Sequence, residues 1–186
     1  MITNSKKQTL ADSIKIFGNI KVLVITALFI AMSIVLGKFL SFTVGPIRLS
    51  FENLTILMSG IMFGPIIGLI TGMTADIIGC ILYGYAINPI ITLGAASIGF
   101  VAGLISTFCF KKKLFLNTLL SVILAHVVGS VIIKSIGLYV YYKFPMEAIF
   151  LRIPTYAIIS AAEFYIIYLV MKNKSITNQM KRVLNK

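Results

Sequence analysis

Phe51 to Phe110 reads FENLTILMSGIMFGPIIGLITGMTADIIGCILYGYAINPIITLGAASIGFVAGLISTFCF. It contains no lysine or arginine, and its only acids are Glu52 and Asp76. Two interruptions divide it, Gly64-Pro65 and Gly84-Tyr85-Ala86-Ile87-Asn88-Pro89. Glycine loosens the backbone and proline cannot continue a helix, so each marks a break between helices. The stretch therefore predicts three successive apolar helices, about 51–63, 66–83 and 90–110. A helix crossing a bilayer needs roughly 20 apolar residues. The first of the three is short for that, so it must begin near the outer interface or cross with little tilt.

Outward from this stretch the pattern continues. A further apolar run, about Val22 to Phe42, precedes it, and Thr43 to Ser50, with Gly45-Pro46 and Arg48, reads as a loop. After Lys111-Lys112-Lys113 come a run of about Leu114 to Tyr141, a polar turn from Tyr142 to Glu147, and a last run of about Ala148 to Met171. Residues 1–21 form a lysine-bearing tail with some amphipathic character (Ile14, Ile16, Phe17, Ile20), expected at the membrane surface; residues 172–186 form a basic tail. The N-terminal tail is long and polar, and no small-residue cleavage site follows the first run, so that run is expected to remain in the mature chain. The whole chain is 59% hydrophobic and 12% charged, with a mean hydropathy of +1.01. Soluble domains are nearer 45–50% apolar and about 25% charged. The expected fold is an all-α integral membrane protein, a six-transmembrane-helix bundle with both termini cytoplasmic.

Charge sets that orientation. Lys6, Lys7, Lys15 and Lys21 precede the first run, Lys111, Lys112 and Lys113 separate the fourth and fifth, and Lys172, Lys174, Lys181, Arg182 and Lys186 follow the sixth. An even number of crossings puts all three groups on one face, and excess lysine and arginine mark the cytoplasmic face. The net charge of +12 then reflects topology and attraction to anionic lipid. No nucleic-acid partner is expected, because no RNA-binding motif, zinc spacing or basic helix outside the tails accompanies it. Cys80 and Cys109 lie in apolar runs without partners at metal-ligand spacing and read as small packing residues. No cofactor or metal is expected.

Five basic residues break the charge rule: Lys38, Arg48, Lys134, Lys143 and Arg152 all fall in the outer half of the membrane or in outer loops. A charge at mid-bilayer costs roughly 2.5–3.5 kcal/mol on insertion scales, so such residues usually face a cavity and meet a partner or ligand. Lys38 either snorkels to the headgroups or faces that cavity. Lys143 reads as solvated. Arg48, Lys134 and Arg152 converge on one outer vestibule and suit an anionic ligand. Glu52 could pair with an arginine, or accept two hydrogen bonds from a ligand's amino-and-amide edge. Asp12 and Glu147 read as exposed. Asp76 reads as a helix-packing hydrogen bond among small residues, Glu163 as a partner for a basic tail residue, and His126 as a buried, hydrogen-bonded histidine. Ala27 and Ala31, four apart, form a flat patch that another helix can approach.

These segments resemble the substrate-binding S components of energy-coupling-factor (ECF) vitamin transporters, most closely the folate family. The residues that carry the likeness are Ala27-x-x-x-Ala31, Arg48-Leu49-Ser50-Phe51-Glu52-Asn53-Leu54, Phe63-Gly64-Pro65 and Ala75-Asp76-Ile77-Ile78-Gly79. Gly84-Tyr85-Ala86-Ile87-Asn88-Pro89-Ile90-Ile91-Thr92-Leu93-Gly94 and Arg152-Ile153-Pro154 complete them. Thr55 departs from the family's proline, which should affect the helix start rather than the chemistry. The resemblance implies a protein that takes a vitamin from outside and delivers it inward with a membrane scaffold subunit and two ATPases. Ala27 and Ala31 would be the docking face. No GxxxxGK[ST] phosphate loop occurs, in keeping with ATP hydrolysis in a partner.

A folate ligand would use Glu52 and Asn53, or Asn88, at the pterin's polar edge. Phe51, Tyr83 and Tyr156 would pack its faces, and Arg48, Lys134 and Arg152 would hold its carboxylates. Loops 43–50 and 84–89 would close over it. Other readings are an S component for another vitamin, a stand-alone carrier, or an intramembrane enzyme using Asp76, His126 or Glu163. For the enzyme the sequence offers no paired aspartates, HExxH or nucleophile beside a base.

Overall fold

The computed structural model describes residues 18–44, 47–109 and 113–184. The expectations for residues 1–17, Gly45-Pro46, Lys111-Lys112 and Lys186 lie outside these residues, as does the side chain of Arg48. The architecture is a helical bundle with one small hairpin. Helix α1, Ile20–Phe39, opens at Asn19, whose side chain accepts from the Lys21 N–H at 3.1 Å. Such a cap satisfies one of the donors left over at a helix start.

The helix stops at Phe39, short of the expected Phe42, and the expected loop 43–50 falls within an antiparallel hairpin. Strands β1, Ser41–Val44, and β2, Ile47–Ser50, pair with Phe42 opposite Leu49 and Thr43 opposite Arg48. Aromatic and β-branched residues on both sides of Gly-Pro favour a pleated pair.

Helix α2, Asn53–Phe63, and helix α3, Pro65–Tyr83, meet at Gly64, whose φ of 99° suits glycine. Proline at the first position of α3 costs nothing, since its missing N–H would have had no partner there. Gly84, at φ 71°, ends α3 in the left-handed conformation. Helix α4, Pro89–Phe108, repeats the proline start, and the Asn88 side chain accepts from the N–H groups of Ile90 at 3.0 Å and Ile91 at 3.4 Å.

A 29-residue helix then runs from Leu114 to Tyr142. It consists of α5, Leu114–Ala125, a π-helical stretch, His126–Ile133, and α6, Lys134–Tyr142. π-helical turns are wider and usually single, and they concentrate at functional sites. Helix α7, Met146–Lys172, carries Pro154 inside it. The closing basic tail contains helix α8, Lys174–Leu184. Val183 of α8 packs beside Val22, Phe63 and Ile67, and its carbonyl accepts from the Asn19 amide at 2.6 Å.

Among the described residues, five helices are long and apolar enough to cross a membrane: α1, α3, α4, the Leu114–Tyr142 helix and α7. Helix α2 has 11 residues, which at about 1.5 Å each covers roughly half of a 30 Å hydrocarbon core. It lies buried among its neighbours, with Leu57 and Ser59 fully covered. The Ser59 and Thr71 hydroxyls hydrogen-bond at 2.6 Å between α2 and α3. Close backbone approach holds α3 to α4: a Cβ on Gly99 would overlap the Gly68 carbonyl. In lipid, where water drives nothing together, helices associate through such small-residue contacts. The outward face of α1, with Leu23, Val24, Leu28, Met32 and Val35, is exposed and apolar. Ala27 and Ala31 are exposed on the same helix.

Candidate ligand-binding site

At the end of the bundle carrying the hairpin, the 84–88 loop and the 143–145 turn, the helices line a partly open cavity of about 660 Å³. That size suits a small-molecule ligand. Of the residues singled out from sequence, Glu52, Tyr83, Asn88, Lys134, Arg152 and Tyr156 line it. Phe51 and Asn53 do not. Phe51 is half-buried at the strand-to-helix turn, and Asn53 is turned into the protein at 1% exposure, with Oδ1 lacking a hydrogen-bond partner.

Lys134 begins α6 where the π-helical stretch ends, and it is only 6% exposed. Its Nζ donates to Glu52 Oε1 at 3.3 Å. Glu52 is held from behind: the Ser33 hydroxyl donates to its carbonyl at 2.7 Å. Gly94 leaves the lysine stem its path, because a Cβ there would sit 2.6 Å from Lys134 Cγ.

Arg152, on α7, is bound differently. Its Nε donates to Ser135 Oγ at 3.1 Å, and Nη2 donates to the Ser130 carbonyl at 2.9 Å and to the Tyr156 hydroxyl at 3.5 Å. Its guanidinium lies 5.1 Å from the centre of the Tyr156 ring. All these partners are neutral, and no carboxylate of the described residues lies within 4.0 Å of it.

Asp76, read from sequence as a packing residue, does both things. Its Oδ2 accepts from the Thr92 hydroxyl at 2.6 Å, joining α3 to α4, and it lines the cavity. Asn88 also lines the cavity, and its buried Nδ2 has no hydrogen-bond partner. Tyr83 donates its hydroxyl to the Ile34 carbonyl, and its ring meets Tyr85 edge-on at 6.0 Å. Lys38 is exposed, with Nζ 5.4 Å from the Tyr83 ring centre, and does not line the cavity. Cys80 lines it too, whereas Cys109 caps α4 and is exposed, so neither is a plain packing residue.

Below the cavity, Glu163 departs from its sequence reading. Among the described residues it forms no ion pair with a tail residue and pairs with His126 instead, Oε2 to Nε2 at 2.5 Å, both side chains buried. His126 is the buried, hydrogen-bonded histidine the sequence suggested, its Nδ1 sharing a 3.1 Å hydrogen bond with Ser130 Oγ. Ser33, Ser50, Tyr85, Tyr142 and Phe144 also line the cavity. Only the aromatic and polar residues beside the breaks at 84–89 and 142–147 gave a sequence signal for any of these.

An apolar-faced helical bundle enclosing a cavity lined by both signs of charge has the layout of a membrane-embedded substrate-binding protein. Residues 21–175 match the family described as ECF transporter, substrate-specific component. The chain belongs to that family. It is a transport component of the cell membrane, with several membrane-crossing helices, and not an enzyme.

Among characterised proteins, it is similar to the folate transporter FolT of Clostridium novyi (strain NT), with 34% identity over 103 residues. That match covers 54% of this chain and 58% of the relative's length. In fold it is similar to FolT in a crystal structure bound with folic acid, at a TM-score of 0.67 and 22% identity. The likeness covers 80% of this chain and 91% of that one.

Proposed function

We propose that this chain captures folate from outside the cell as the S component of an ECF-type importer. The observation that carries the reading is Arg152: a half-buried guanidinium on the wall of a partly open cavity, hydrogen-bonded among the described residues only to neutral groups. Keeping a cation there without a carboxylate partner is costly, and a ligand carboxylate offsets that cost. The FolT relatives supply the ligand class, since folate carries two carboxylates on its glutamate tail. Arg152 and Arg48 take those carboxylates, with Lys134 alongside. Asn88 Nδ2 donates to the pterin's carbonyl edge, while Glu52 and Asp76 accept from its amino and ring N–H groups. Tyr83 and Tyr156 pack against the flat rings.

The topology in this reading has six crossings, with both termini cytoplasmic and the cavity opening outward. Helix α2 counts as a crossing despite its length, because short elements are tolerated where protein rather than lipid surrounds them. The basic residues of the two tails and of Lys111 to Lys113 mark the inner face. Ala27 and Ala31, exposed on α1, dock a membrane scaffold subunit that carries two ATPases. The 84–88 loop and the hairpin close over the ligand.

Purified protein in detergent, screened by thermal shift against a panel of water-soluble vitamins, tests the ligand. Stabilisation by folate above all others supports the reading. Stabilisation by a different vitamin keeps the S-component role and removes folate.

A further inference from the structure

Two facing helices carry a polar stripe that runs from the core up to the cavity. On the Leu114–Tyr142 helix it comprises His126, Ser130 and Lys134; on α7 it comprises Arg152, Tyr156 and Glu163. The contacts run continuously from the core to the cavity wall. Glu163 Oε2 bonds His126 Nε2 at 2.5 Å, and His126 Nδ1 bonds Ser130 Oγ at 3.1 Å. The Ser130 carbonyl accepts from Arg152 Nη2 at 2.9 Å. The Tyr156 ring sits 5.5 Å from the His126 ring and 5.1 Å from the Arg152 guanidinium.

We infer that Glu163 and His126 are positioning residues: they fix the Ser130 turn and the Tyr156 ring, and through these aim Arg152 into the cavity. Three observations favour this over a simple packing bond. A fully buried acid-base pair adds little net stability compared with apolar residues of the same volume, and Glu163 Oε1 has no hydrogen-bond partner among the described residues. Ser130, which shares a hydrogen bond with His126, lies with it in the π-helical stretch, and its carbonyl accepts from Arg152. A long guanidinium side chain otherwise has many rotamers to lose on binding, and holding it beforehand reduces that loss.

The inference rests on Arg152 binding the carboxylates of folate, and the test separates the two claims. Full-length protein in detergent is titrated with folate and with 6-hydroxymethylpterin, which keeps the pterin but lacks the carboxylates. Arg152→Ala should weaken folate far more than the pterin. Glu163→Leu should weaken folate about tenfold, the size of one charge-assisted hydrogen bond, and leave the pterin within about twofold. Glu163→Gln, which can still accept from His126, should restore most of the loss. In an Arg152→Ala background, Glu163→Leu should do nothing further.

Ser130→Ala cuts the middle link while keeping the backbone carbonyl, and should shift the same ratio by a smaller factor even if Glu163→Leu fails to fold. Equal weakening of both ligands, no change in either, or a Glu163 effect additive with Arg152→Ala would overturn the positioning role while leaving the folate reading intact. Arg152→Ala weakening folate no more than the pterin would overturn both the positioning role and the part of Arg152 in holding the carboxylates.

Discussion

Lys134 Nζ lies 3.3 Å from Glu52 Oε1, across 82 residues of chain, and the two side chains are unequally covered: 8% and 31% exposed. The pair ties the first residue of α6 to the start of α2 and forms one charged wall of the cavity. Its asymmetry has a consequence for stability. Removing Glu52 strands a buried ammonium, whereas removing Lys134 leaves a carboxylate that solvent can reach. Glu52→Ala should therefore cost about 3 kcal/mol and Lys134→Ala about 1 kcal/mol. Thermal unfolding of the two variants in detergent measures the difference; equal losses would mean the lysine is solvated after all.

The path of the lysine stem makes a second prediction. A methyl group at Gly94 would meet Lys134 Cγ at 2.6 Å and the Gly129 carbonyl at 3.0 Å. Gly94→Ala should push the stem aside and lower folate affinity about tenfold, at a stability cost of about 1–3 kcal/mol. Isothermal titration together with a melting curve measures both.

Packing between α3 and α4 leaves no such room to adjust. Backbone meets backbone at Gly99 and Gly68, whereas a Cβ on Gly79 would lie 3.7 Å from the Tyr83 ring, an ordinary contact. Gly99→Ala should abolish the monodisperse peak in size-exclusion chromatography, and Gly79→Ala should leave it in place.

Docking is separable from capture. Ala27 and Ala31 are exposed on α1 and are not among the residues that line the cavity. Ala31→Trp should leave folate titration unchanged and prevent co-purification with a scaffold and ATPase module. A variant that loses folate binding as well would place this face within the ligand site.

Much of the fold was legible where punctuation residues act locally. Pro65 and Pro89 open helices, and Gly64 and Gly84 hold the positive φ values that separate them, so the breaks in 51–110 fall where the sequence marked them. The hairpin at 41–50 was hidden, because four-residue strands after a long apolar run look like its continuation. The π-helical stretch has no signature in HVVGSVII. Six of the singled-out site residues line the cavity because charges and aromatics at helix ends have few other places to go. Phe51 and Asn53 miss it because the turn between β2 and α2 sets their directions, and Glu163 found His126 because helix pairing across 37 residues cannot be read from one chain.

In this proposal Arg152, half-buried on the cavity wall, waits for a ligand carboxylate. Isothermal titration of folate into the unaltered protein and into Arg152→Ala addresses it directly. Tight one-to-one binding by the first, weakened about 10- to 100-fold in the second for the loss of charge-assisted hydrogen bonds, is the expected result. Equal affinity in the two proteins, with Arg152→Ala still folded, would contradict it.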